Sequence, residues 1–467
     1  MNMELYNSLT RCREALPALP ARISMYSCGV TVYDKCHIGH ARSLYTFDTL
    51  VKYMRYRGYA VRFVRNITDV DDKIIAKAAQ TGKTFNEVVT ENIALYYQDM
   101  ADLGLKPADV EPRATENIPL MIAHIEGLIA KGHAYATAGD VYFRVRSFAD
   151  YGKLSGQSVD KMLEGVRIDK DEKKEDPLDF ALWKKAKPGE PAWPSPWGDG
   201  RPGWHIECSC MSLKHLGTET LDIHAGGRDL VFPHHENEIA QAEALTGKPF
   251  ARMWVHHGLL TINSQKMSKS LGNFITVQEA LKKYSVSAFK LFFLSTHYAS
   301  SIDYTEDKLG EMEKGIAKFQ SLVARAEKVP APGAGARLEE AEFLTEARKK
   351  ILAAMDEDFN TALAIGQVFE LITATNRFID LGKQDDLFEG QVKAVVSFLK
   401  SFLTGVLGLE LADRVVGPSA EEAALINERQ AARLAKNWSR SDELRDILKT
   451  RGILVEDGKS GQTWRRV

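Results

Sequence analysis

Long apolar runs are missing from this 467-residue chain. No stretch approaches the ~20 residues that a transmembrane helix needs. The opening Met1 to Leu9 is polar and lacks the apolar core of a signal peptide. Cysteine is scarce, with Cys12, Cys28, Cys36, Cys208 and Cys210 making five. An odd count, with four near suspected chemistry, does not make a disulfide framework, so a cytoplasmic, reducing location is expected. Charge of one sign is also missing. With 61 basic and 63 acidic residues the net charge is −2. A nucleic-acid partner would have to be met by local basic patches. Internal repeats are absent, and the clearest linker composition is Val329 to Ala336.

What is present fits a soluble, multidomain protein. Hydrophobic content is 44% and charged content 27%, and the length suggests roughly two to four domains. The opening reads as a strand at Ile23 to Ser27, a loop from Cys28 to Gly39, and a helix from Ala41 to Arg57. Leu44, Phe47, Leu50, Val51 and Met54 fall on one helix face, and Gly58 suits the C-terminal cap. Tyr59 to Ile67 follows as a strand. Strand, helix and strand at this spacing predict a parallel α/β sheet, whose ligands bind beyond the carboxyl ends of the strands. Residues 115–202 read as an insertion with a strand near Asp140 to Val145 and a proline-rich loop. The sheet resumes near Trp204, with a strand at Leu221 to His224, a tight turn at Gly226-Gly227, and a helix from His234 opened by Pro233. Helices dominate after Ser285. Gly417-Pro418 marks another boundary, followed by basic helices at Ile426 to Lys436 and Asp442 to Thr450.

Three constellations carry chemistry. His37-Ile38-Gly39-His40 lies at a helix start, where unpaired N–H groups and the helix dipole favour anions. Gly39 removes a side chain where a phosphate or adenine must approach. Lys266-Met267-Ser268-Lys269-Ser270 places two lysines on a loop. In-line attack on an ATP α-phosphate needs positioning and charge neutralisation, which such a loop supplies. The third set is Cys208 in Trp204 to Cys210, with His234 and Glu238 four residues apart and so on one helix face. With Cys28, these residues suit tetrahedral Zn²⁺. Spacing alone does not choose Cys28 over Cys36, Cys208 over Cys210, or His234 over His235. Plainer readings are surface histidines, a solvated basic loop, and a purely structural zinc or buried thiols with no metal.

Taken together, these segments resemble the cysteinyl-tRNA synthetases, a class I aminoacyl-tRNA synthetase family. The resemblance runs through Met25 to Asp34, Gly203 to Cys208, Asp222 to Gly227, Phe232 to Glu238, the lysine motif, Met355 to Thr361 and Trp464-Arg465. It implies a Rossmann-type parallel-sheet catalytic domain with an insertion, then a helical bundle and a small C-terminal anticodon-binding domain. The implied division is 1–114 and 203–255 for the catalytic domain and 115–202 for the insertion. It continues with 256–325 for the stem-contact region bearing the lysine loop, 326–412 for the bundle and 413–467 for the anticodon domain.

The resemblance implies Cys28, Cys208, His234 and Glu238 as ligands of one zinc that binds the substrate's thiolate. A soft sulfur ligand suits zinc far better than serine's hydroxyl does, and the insertion is too short for an editing domain. His37, His40, Lys266 and Lys269 would be catalytic. Gly39, His224 and Gly227 would join His37, His40 and Lys269 near ATP, with Mg²⁺ accompanying the nucleotide. Gly29, Thr68, Trp204 and Asp229 would line the cysteine pocket. Arg433, Trp438, Asp442 and Asp457 would meet the anticodon of the cysteine tRNA, where an arginine, a stacking aromatic and carboxylates suit splayed bases. A cytoplasmic monomer is implied, with no membrane partner. Extra thiols at Cys36 and Cys210 depart from the pattern without displacing it. Two rival readings are a cysteine ligase that acts on an amino sugar in thiol-cofactor biosynthesis, and a tRNA-binding relative without activity.

Overall fold

In a computed structural model the chain forms two compact units, Met1–Leu411 and Ala412–Val467. The structure describes residues 3–159, 174–267, 272–330, 332–333, 340–382, 385–410, 420–451, 453–458 and 461–466. Ser268, Lys269, Ser270 and the Gly417-Pro418 boundary lie outside them.

The first unit is organised by four parallel strands in the order Ala251–His257, Leu221–Gly227, Arg22–Thr31 and Ala60–Thr68. A parallel strand covered on both faces needs apolar residues on both. Ile23, Met25 and Tyr26 are accordingly all buried, as are Val61, Phe63 and Val64. The crossover helix Ile38–Tyr56 buries the predicted Leu44, Phe47, Leu50, Val51 and Met54. Gly58 follows it at φ +100°, a conformation that disfavours a side chain.

Three local expectations are corrected. The first strand does not end at Ser27 but continues to Thr31, and its register with the Ala60–Thr68 strand slips between Ser27 and Val30. Cys28 and Gly29 sit in that irregularity, which re-aims a side chain at the sheet's end. Gly226 and Gly227 are not a turn. They finish the Leu221–Gly227 strand, paired with His256 and His257. The helix expected at His234 begins as a wider turn over Val231–His235 and becomes regular only at Glu236–Thr246. Phe232 is extended, at φ −137° and ψ 133°, because a residue before proline is pushed out of the α region.

The insertion folds as a four-stranded antiparallel sheet, Ala134–Thr137, Asp140–Phe143, Phe180–Lys185 and Gly200–Pro202. Helix Trp204–Leu216 then returns the chain to the central sheet. The later helices of this unit include Glu306–Glu327, Glu342–Asp356, Thr361–Asp380 and Asp386–Leu399. Asp358 fastens the turn between two of them, accepting from the Tyr6 N–H at 2.8 Å and the Tyr298 hydroxyl at 2.7 Å. The second unit pairs helices Ala420–Leu434 and Trp438–Thr450 with an antiparallel hairpin of Ile453–Gly458 and Gly461–Arg466. Its second helix starts earlier than expected because the Asn437 side chain caps it, accepting from the Arg440 N–H at 3.2 Å.

A buried ion pair sits at one side of the parallel sheet. Arg65, 2% exposed on the edge strand Ala60–Thr68, meets Glu111 at 2.6 Å. Removing one partner of such a pair strands the other in low dielectric. Glu111→Ala is therefore expected to cost about 3–5 kcal/mol, read as a lowered denaturation midpoint of the first unit.

Candidate functional site

The carboxyl ends of the strands bring the third constellation together. Sγ of Cys28, Sγ of Cys208, a ring nitrogen of His234 and a carboxylate oxygen of Glu238 lie within 4.8 Å of one another, and all four residues are buried. Cys28 comes from the strand irregularity and Cys208 from the second turn of helix Trp204–Leu216. His234 and Glu238 come from the turn and helix after Pro233. Glu238 Oε1 faces His234 Nε2 at 2.9 Å and Cys28 Sγ at 3.3 Å, and its Oε2 faces His224 Nε2 at 2.7 Å. Neither Cys36 nor Cys210 joins the cluster. Cys210 turns back to the Glu207 carbonyl, and Cys36 lies beside Asp99. His235 belongs to an overlapping set with Cys28, His224 and Glu238.

The electrostatics of the cluster are those of a cation site. Burial opposes a thiolate at Cys208, yet hydrogen bonding from Cys28 and the neighbouring His234 outweigh it and bring the thiol down to about 6. Burial also disfavours an imidazolium at His234, but Glu238 holds that ring up at about 10. Glu238, although fully buried, is kept well below the usual carboxylate range by His224 and His234. Two soft sulfurs, an imidazole and a carboxylate within reach of one point can hold a divalent metal. The outer ring is equally ordered. His205 and His234 meet through their Nδ1 atoms at 2.9 Å, and His235 and His256 meet at 2.8 Å, which fixes the rings in orientation.

Trp204 stacks on His234 with ring centroids 4.1 Å apart and stays 38% exposed, so it roofs the cluster. Thr68 is buried one step away, hydrogen-bonded to Asn66 and Glu207. Gly29 approaches the Asn66 backbone so closely that a Cβ would sit 1.6 Å from its carbonyl oxygen. Asp229 is exposed and lies over Gly227, where a Cβ would stand 2.4 Å from its Oδ1. His224 is fully buried behind Glu238 and stacked on Trp254. It backs the cluster that could hold a metal.

The histidine motif begins its helix earlier than the sequence implied. His37 is the N-cap of helix Ile38–Tyr56, and its Nδ1 accepts from the Gly39 and His40 N–H groups at 3.1 and 3.2 Å. The Ile38 N–H goes to Ile275 O. The expectation of unpaired N–H groups at this helix start is thus corrected: the motif caps itself. His40 Nδ1 accepts from the His37 N–H at 3.4 Å, and the rings stack at 3.6 Å. Each neutral ring then carries its proton on Nε2, and burial and His37 push the His40 pKa well below the usual histidine value. The lysine segment comes back onto this helix start. A Cβ on Gly39 would stand 3.2 Å from Met267 Cε, Phe274 packs edge-on to His37, and Lys266 is exposed. Lys269 lies outside the described residues.

Comparison with known proteins decides the family. Residues 15–314 match the model for the class I (C) tRNA synthetase catalytic domain, 350–412 a DALR domain, and 417–465 the cysteinyl-tRNA ligase anticodon binding domain. The chain is 49% identical to a cysteine–tRNA ligase of Geobacter sulfurreducens, and each covers the other fully. It is 48% identical to that of Pseudomonas aeruginosa over 99% of both chains. The chain belongs to the cysteinyl-tRNA synthetase family.

The fold agrees with class I synthetases more widely. A Mycobacterium tuberculosis methionyl-tRNA synthetase bound by methionyl-adenylate superposes with a TM-score of 0.62 at 15% identity, covering 83% of this chain and 92% of that one. In the anticodon-binding domain of this family member, Asp457 is held by both Arg429 nitrogens at 3.0 and 2.9 Å and by Arg433 at 2.8 Å. The Arg433 guanidinium lies 5.7 Å over the Trp438 ring, which is 56% exposed. Asp442 pairs with Arg445 at 3.1 Å.

Sequence reading passed over Asn66, Glu207, His205, His256 and Arg429. The last, 1% exposed, looks like any basic helix residue until the hairpin carrying Asp457 is placed beside it.

The cluster makes a prediction that needs no turnover. Cys28→Ala and Cys208→Ala should lose the tightly held divalent metal after dialysis, while Cys36→Ala and Cys210→Ala should keep it. Elemental analysis reads the difference.

Proposed function

We propose that the chain activates L-cysteine with ATP and transfers it to the 3′ end of the cysteine tRNA, selecting cysteine through a zinc ion held by Cys28, Cys208, His234 and Glu238. The observation that carries the reading is this buried cluster of two sulfurs, an imidazole and a carboxylate at the strand ends, in a member of this family. Of the two overlapping sets, the one with two thiols suits zinc better. When bound, the zinc supplies a soft partner for the substrate's thiolate, which a serine hydroxyl serves poorly.

The protein's own residues do the rest. Thr68, Gly29 and Asp229 orient the amino acid's main-chain groups, and Trp204 closes over it. The substrate carboxylate attacks the ATP α-phosphorus and pyrophosphate departs. His37 and His40 donate from Nε2 to phosphate oxygens, and Lys266 and Lys269 neutralise their charge, with Mg²⁺ accompanying the nucleotide. Gly39 and Gly227 complete the nucleotide end of the site, Gly39 by leaving room, while His224, buried behind Glu238, supports the metal ligands instead. The terminal ribose hydroxyl of the tRNA then attacks the adenylate carbonyl and AMP leaves. Arg433, Trp438, Asp442 and Asp457 read the anticodon, an ordered pair-and-stack surface suited to splayed bases. The division into catalytic halves, insertion, stem-contact region, bundle and anticodon domain serves these two contacts with one tRNA. The match of residues 417–465 to an anticodon module favours this over a ligase with a small amino-sugar acceptor. We place the enzyme in the cytoplasm as a monomer. Its five thiols are unpaired, and among the described residues no helix is long and apolar enough to cross a membrane.

The test is ATP–pyrophosphate exchange. Cysteine should support it and serine should fail by a factor on the order of 10⁴. Exchange with both would reject metal-based selection. The anticodon surface is tested separately. Trp438→Ala should leave exchange intact and weaken aminoacylation by the about 1–3 kcal/mol of one stacked base. Equal loss in both assays would deny Trp438 that role.

A further inference from the structure

A chain of buried polar groups connects the two elements that carry the thiols. It starts at the Gly29 N–H, which donates to Asn66 Oδ1 at 2.8 Å. The backbone donor fixes the Asn66 amide: the atom facing Gly29 must be oxygen, so the other must be the NH₂ group. That group donates to Thr68 Oγ1 at 3.1 Å. The Thr68 hydroxyl in turn donates to Glu207 Oε2 at 2.8 Å. Asn66, Thr68 and Glu207 are 1%, 2% and 0% exposed, so water does not compete for these bonds. The other carboxylate oxygen of Glu207 is buried and has no hydrogen-bond partner among the described residues.

The direction of the relay has a chemical consequence. A hydroxyl has one hydrogen and two lone pairs. At Thr68 the hydrogen is committed to Glu207 and one lone pair to Asn66. A single acceptor lone pair remains, and no donor. Bonded to Asn66, whose Oδ1 also meets Cys208 Sγ at 3.7 Å, such a group attracts a donor and repels an acceptor. Of the substrate's two main-chain groups, it therefore suits the α-ammonium and not the carboxylate. The carboxylate is left free to face the nucleotide, where it must react.

We infer that Glu207, together with Asn66, is a positioning residue that makes the Thr68 hydroxyl an obligate acceptor for the α-ammonium group of cysteine, and so sets which end of the amino acid points at ATP. This rests on the reading of the site as a cysteine-activating one. Glu207 itself does not touch the substrate.

The test compares variants of the full enzyme in ATP–pyrophosphate exchange, with two competing thiols as probes. Cysteamine carries the amine without the carboxylate, and 3-mercaptopropionate carries the carboxylate without the amine. Glu207→Leu releases the Thr68 hydrogen to turn into the pocket. It should raise KM for cysteine and Ki for cysteamine together by about ten- to hundredfold, the worth of one charge-assisted hydrogen bond. Ki for 3-mercaptopropionate, KM for ATP and metal content should stay within about twofold, a margin set well below that effect. Glu207→Gln keeps an acceptor oxygen and should restore most of the loss. Should Glu207→Leu fail to fold, Thr68→Val deletes the acceptor directly and Thr68→Ser keeps it, and the same split between the two thiols is expected. Equal shifts for both thiols would show a merely structural role and overturn the inference, as would unchanged values for both. If the parent enzyme itself shows no cysteine-dependent exchange, the underlying reading of the site fails instead.

Discussion

A carboxylate with no exposed surface must be met by positive charge or by hydrogen bonds, and Glu238 organises this protein around that requirement. Its two oxygens face His234, Cys28 and His224. Each of those residues arrives from a different element, and each is fixed by something behind it. His234 is held by His205, and the strand bearing Cys28 is pinned at Gly29 by Asn66. His224 is stacked on Trp254. The Rossmann-type sheet is what allows the convergence. Parallel strands all end on one side, so a bulge in one, a glycine pair finishing another and the helices that follow them bring their side chains to one place.

The two substrate ends of the site are built by different physics. At the thiol end, Cys28, His234 and Glu238 are buried and bonded to one another, which gives orientation at the cost of tolerance for misplaced groups. The end bearing the histidine motif is half-buried. It relies on two stacked imidazoles at a helix start and on a lysine at the edge of a loop. Because His37 caps its own helix, the groups offered outward are ring N–H donors, not backbone N–H groups. A capped helix start is rigid before ATP arrives, which suits positioning chemistry.

Much of this was legible in the residues. The apolar face of the Ile38–Tyr56 helix follows directly from Leu44, Phe47, Leu50, Val51 and Met54, and the parallel sheet follows from strand, helix and strand. The pairing of His234 with Glu238 follows from helical spacing. What spacing could not supply was long-range choice, such as Cys28 over Cys36, because that depends on where the strand irregularity aims a side chain. Nor could it foresee Gly226 and Gly227 as strand residues. Local preference reads a glycine pair as a turn, and only the neighbouring His256 and His257 make it the end of an interior strand. Glu207 escaped notice because a glutamate on a helix reads as solvated until its burial is known.

The central claim is that two cysteines of this chain, and then the substrate's own, surround one metal. Zinc-edge X-ray absorption on the purified enzyme tests it most directly by counting sulfur scatterers. The account predicts two sulfurs in the resting enzyme, from Cys28 and Cys208, a third on adding cysteine, and no change on adding serine. One sulfur at rest would favour the His224 and His235 set. A count that cysteine does not alter would contradict selection by the metal.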